Sequence, residues 1–75
     1  MLSPQQIVDK DFLEHRHMLI EIAAYLDRFD AAVERVGDPV ERPHGLYLID
    51  QALKKLREPA SKNGRAFDLL ELFAS

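Results

Sequence analysis

Seventy-five residues with no cysteine and a formal net charge of −3 allow one domain at most and exclude disulfide staples and thiolate metal sites. The negative balance argues against general nucleic-acid binding. A chain this short buries only about 60% of the surface its unfolded form exposes, so very good helix packing or a partner subunit must supply the missing stability.

The opening residues, Met1-Leu2-Ser3-Pro4-Gln5-Gln6, contain neither a basic n-region nor an apolar h-region. The longest apolar stretch, Met18 to Leu26, includes Glu21 and is too short to span a bilayer. The expected setting is the cytoplasm, away from the membrane.

A first helix is predicted from about Ser3 to Val36. Ser3 is a good N-cap, and Pro4 occupies the first helical position, where its missing N–H has no consequence. Gln6 falls three residues after Ser3 and completes a capping box. The following thirty residues contain neither proline nor glycine. Gly37 then offers a residue able to adopt a left-handed conformation, with Pro39 just beyond.

Within this helix, Val8, Phe12, His15, Leu19, Ile22, Leu26, Phe29, Val33 and Val36 follow alternating spacings of four and three. That is a heptad seam sustained for about four repeats. Phe12, Leu19, Leu26 and Val33 are its a positions; Val8, His15, Ile22, Phe29 and Val36 are its d positions. Met18, Tyr25 and Ala32 widen the stripe at g. Leu13 and Ile20 lie at b, and Ala23 and Ala24 at e and f. From Leu13 to Leu26 the helix is therefore apolar or small on most sides, the pattern of a buried helix.

Gly37 to Gly45 is a turn-rich connector with two prolines. Asp38-Pro39-Val40-Glu41 reads as a second capping box and a single helical turn. A second helix is expected at about 45–58, with Leu46, Ile49, Leu53 and Leu56 on its apolar face. Lys54, Lys55 and Arg57 near its C-terminus suit the macrodipole, and Pro59 ends it. Ser61-Lys62-Asn63-Gly64 is a turn. A third helix at about 65–74 is expected to bury Ala66, Phe67, Leu69, Leu70 and Phe73. The sequence thus predicts an all-α, three-helix arrangement forming a single helical domain over residues 1–75.

The two shorter helices together span about 35 Å, against about 50 Å for the first helix. They can cover one stripe of it but hardly its g and b positions as well, and large apolar patches mark interfaces. The expected partner is a second copy, forming a helical-bundle dimer, or else another helical protein. The expected interface residues are Leu13, Met18, Ile20, Ala24 and Tyr25. The leading functional expectation is a non-enzymatic interaction or regulatory module acting through helix packing and self-association, without a cofactor.

A second expectation rests on Glu14, His17 and Glu21, whose spacings of three and four place them on one helical stripe. Glu14-His15-Arg16-His17 fits Glu-x-x-His, the pattern by which di-iron carboxylate bundles aim two ligands at a metal. Over these few residues the segment resembles hemerythrin-type histidine–carboxylate proteins; the other ligand motifs have no counterpart. The implied alternative is a bundle that binds a divalent metal. The c and f positions of this stripe, however, point away from the seam.

His15 stands on the seam among Phe12, Leu19 and Ile22, with Asp11 one turn earlier, and could fix register or respond to pH. His44, between Pro43 and Gly45, has no evident partner. No nucleophile–base arrangement, phosphate loop or aromatic–basic interleaving is present. The basic stretch Lys54, Lys55, Arg57, Lys62 and Arg65 reads as a solvated face or, less simply, as an adaptor surface for an anionic partner.

Overall fold

The structure, a computed structural model, describes residues 1–38, 41 and 43–74. Among these the chain is all-helical, with α1 at Pro4–Val36, α2 at His44–Arg57 and α3 at Arg65–Ala74 and no strand. The all-α, three-helix expectation with one long N-terminal helix is met. No described helix is long and apolar enough to cross a membrane. Contacts divide the chain into two compact units, Met1–Asp38 and Pro39–Ser75.

The first unit is α1 with its caps. The Ser3 hydroxyl accepts from the Gln6 N–H at 3.2 Å, and the Gln6 side-chain oxygen accepts from the Ser3 N–H at 2.8 Å. Two N–H groups that the helix itself cannot pair are thereby satisfied. Gln5 donates to Asp9 one turn on, at 2.8 Å. Ser3→Ala is expected to weaken this end by about 0.5–2 kcal/mol. Faster amide exchange at Gln6 and Ile7, with α2 and α3 unaffected, would register the loss; unchanged protection there would show that the box contributes nothing.

At the other end, the Gly37 N–H donates to the Val33 carbonyl at 2.7 Å. Gly37 has φ 99° and ψ 167°. The positive φ agrees with the sequence, but ψ is extended rather than left-handed helical. That region of backbone space is open essentially to glycine alone. The single turn anticipated over 38–41 includes Pro39 and Val40, which lie outside the described residues.

The second unit contains α2, α3 and the corner between them. α2 begins at His44, one residue earlier than the sequence suggests, because the Pro43 carbonyl accepts from the N–H groups of both Leu46 and Tyr47, at 3.1 and 3.2 Å. His44 stacks on Tyr47 one turn later, with ring centroids 6.0 Å apart. α2 stops at Arg57, and Glu58 is extended with φ −81° and ψ 159°, as a residue before proline should be.

The corner is held by hydrogen bonds that side chains make with backbone and with one another. Arg65 Nε–H donates to the Glu58 carbonyl at 3.1 Å. The Ser61 hydroxyl donates to Asp68 Oδ1 at 2.8 Å and accepts from the Asn63 N–H at 3.3 Å. Gly64, at φ 94°, turns the chain into α3.

α2 and α3 pack on one another. Leu46 and Ala52 are the buried side chains among the described residues, and Ile49, Leu53, Leu69 and Leu72 are half-buried. Three expectations change here. Ala52, absent from the anticipated face, is buried at 7% exposed; it lies three residues after Ile49 and so on the same stripe of α2. Leu56 is exposed. In α3 the half-buried face is Leu69 and Leu72, whereas Ala66, Phe67, Leu70 and Phe73 are exposed, Leu70 by 71%. Adjacent residues of a helix point about 100° apart, so Leu69 and Leu70 cannot both face α2.

Candidate interaction face

No residue of α1 is buried. Its caps and unbroken helix-forming sequence make it helical, yet its seam stays open. The seam divides along its length. Val8, Phe12, His15 and Leu19 are exposed, Phe12 by 56% and Leu19 by 59%; Ile22, Leu26, Phe29 and Val33 are half-buried. Two adjoining shallow apolar grooves run along the exposed part. Ile7, Val8, Asp11, Phe12 and His15 line one of them. Phe12, His15, Arg16, Leu19 and Ile20 line the other. His15 and Phe12 belong to both.

His15 is fixed within this surface. Its Nδ1 lies 2.8 Å from the Asp11 carbonyl oxygen. A carbonyl can only accept, so Nδ1 carries the proton in this bond, and in the neutral ring Nε2 is left with a free lone pair. The sequence placed His15 on the seam with Asp11 one turn before; the contact is to Asp11 backbone, a group whose presence no side-chain pattern advertises.

The expected interface residues occupy two flanks of the seam. Met18 and Tyr25, seven apart, share one stripe; Leu13 and Ile20, also seven apart, share the other, with Ala24 beside them. Leu13, Met18, Ile20 and Tyr25 are exposed and Ala24 is half-buried. The Arg28 guanidinium lies 6.0 Å from the Tyr25 ring centroid, a cation–π distance worth about 0.5–1 kcal/mol at a surface.

On the c and f stripe, His17 Nε2 is 3.6 Å from Glu21 Oε1, and both side chains are exposed. Glu14 is exposed on the same stripe. Among the described residues, no group of three or more His, Cys, Asp or Glu side chains is arranged to hold a metal ion. Two donors one turn apart supply at most half of a tetrahedral shell.

The basic stretch is divided. Arg65 is occupied at the corner by the Glu58 carbonyl. Lys55 lines a shallow depression with Asp68, Glu71 and Leu72, so acidic groups offset its charge. Lys54, Lys55 and Arg57 lie in the last turn of α2, where cations oppose the negative end of the helix dipole. Each of these placements is a structural use of positive charge.

The sequence reading missed the outer surface of α3, where Phe67, Leu70 and Phe73 are exposed. The signal was present: an apolar residue at nearly every position of so short a helix leaves more apolar surface than one neighbour can cover.

Comparison of the chain with known protein families, with curated proteins and with solved structures finds no match.

Proposed function

We propose that this protein is a non-enzymatic interaction module whose α1 associates with α1 of a second copy. The observation that carries the reading is an apolar heptad seam on a helix with no buried residue.

Exposure and length support it. α1 has 33 residues, about 50 Å. Val8, Phe12 and Leu19 of the α1 seam are exposed, and an exposed apolar stripe of this kind is characteristic of association sites. A second copy presents the same length with the same period, and two-fold pairing is the commonest closed symmetry.

Leu19 and Leu26 at a, Ile22 at d and apolar g residues also suit bundles of more than two strands. Sedimentation of the purified protein at micromolar concentration reads the outcome. A mass of two or more chains is expected, and a monomer would refute the proposal.

A second reading draws on the His17–Glu21 pair. Its two donors could share a divalent ion if another copy supplied the remaining ligands. Elemental analysis of untagged protein prepared without chelator separates the two readings. On the first, metal is well below one ion per chain. Near-stoichiometric metal that disappears in a Glu14→Ala/His17→Ala variant would favour the second.

A further inference from the structure

We propose that the two copies of α1 pair parallel and in register, and that His15 sets this alignment. The inference rests on the self-association proposed above and adds its orientation.

Two features of the same two helical turns point to it. The first is His15. Its Nδ1–H is committed to the Asp11 carbonyl, which leaves Nε2 as an acceptor on a seam that association would dry. An unsatisfied buried acceptor is unfavourable, and a buried water can relieve it only if it finds two or more polar partners. In a parallel, in-register pair His15 faces His15 of the partner subunit at one d layer. One water then donates to both Nε2 atoms. A single polar residue in the seam can specify register, as an asparagine or lysine at an a position does.

The second feature is charge. Asp11 is at g and Arg16 at the following e position. In a parallel pair the g residue of one helix meets the next e residue of the other. Asp11 therefore meets Arg16 of the partner subunit, twice by symmetry, on either side of the histidine layer.

Antiparallel alignments do worse at the histidine layer, and one of them does worse in charge as well. Those that keep a full seam place His15 against Val33 or Leu26, neither of which offers a polar side-chain atom. The Leu26 alignment also sets Asp9 against Asp30, both at e, with like charges opposed. The Val33 alignment pairs Arg16 with Asp30 twice by symmetry and so equals the parallel pair in charge; the histidine layer is what separates those two.

The absence of cysteine makes the test direct, since one introduced thiol is the only thiol. Val8→Cys and Val36→Cys variants, each alone, are expected to form intersubunit disulfides under mild oxidation. The rate should exceed that of an outward-facing Lys10→Cys control by roughly tenfold or more, from the effective concentration within the pair. In an antiparallel pair, two copies of residue 8 lie about 37 Å apart or farther. No disulfide from either single variant in protein that still sediments as an associated species would overturn the orientation while leaving self-association intact; ready linkage in a mixture of Val8→Cys and Val33→Cys chains would identify the Leu26 alignment. A monomeric sedimentation profile would instead refute the association itself. Combining His15→Val with Val8→Cys tests the role of the histidine: the Val8→Cys advantage should fall, with linkage to Val33→Cys chains appearing. Unchanged selectivity would show that His15 does not set the alignment.

Discussion

Leu46→Ala is expected to unfold the α2–α3 unit. Leu46 is 5% exposed and shares the buried positions among the described residues with Ala52 alone. Truncating a buried leucine removes about 2–5 kcal/mol. A unit built on so few covered side chains has no reserve of that size, since chains below about 40 residues are marginal even when intact. Circular dichroism should show loss of the helical signal from His44–Arg57 and Arg65–Ala74 while that of α1 persists, and amide resonances should assign the loss to those residues. Leu56→Ala is the matched control. Leu56 is exposed, so its truncation should change stability by about 0.5 kcal/mol or less. Equal effects from the two substitutions would mean that the packing face has been misidentified.

The second large effect is expected on assembly. Phe12 and Leu19 are successive a residues, and more than half of each is exposed in the single chain. Burying such a side chain contributes about 1.5–3 kcal/mol, and a pair of chains gains it twice. Replacing both by glutamate removes that gain and places carboxylates in a dehydrated layer, at a penalty of several kcal/mol per ion. The Phe12→Glu/Leu19→Glu variant should therefore sediment as a monomer at concentrations where the parent associates. Its α1 should lose helicity, because most helix stability comes from packing an amphipathic face. Reversing charge on the opposite stripe with Glu14→Lys should leave the mass unchanged. Association that survives the double substitution would place the contact elsewhere on the chain.

Much of the fold was legible because local chemistry determined it. Ser3, Pro4 and Gln6 together specify a helix start, and the structure shows both bonds of the capping box. Arg65–Ala74 follows from Gly64 before it and the apolar run within it. The inward face of α3 was not legible. Period places Phe67, Leu69, Leu70 and Phe73 all within reach of some neighbour, and only the position of α2 selects Leu69 and Leu72. Ala52 escaped notice because alanine suits a buried face and an exposed one equally well. At the candidate face the seam could be read from spacing alone. The bond from His15 to the Asp11 carbonyl could not, since every residue carries that acceptor.

The corner between α2 and α3 separates two clocks. Its bonds join residues seven apart, Glu58 to Arg65 and Ser61 to Asp68. Loops of about that length close in roughly 10–100 ns, and folds dominated by local contacts form fast. The pairing proposed for α1 would be bimolecular, at roughly 10⁵–10⁷ M⁻¹s⁻¹, which at micromolar chain is about 0.1–10 per second. On that proposal a newly made chain finishes its corner long before its seam would meet another chain. During that interval an apolar stripe stands in water, open to any surface that reaches it first. Local abundance of the chain, and not its folding speed, decides how long the stripe waits.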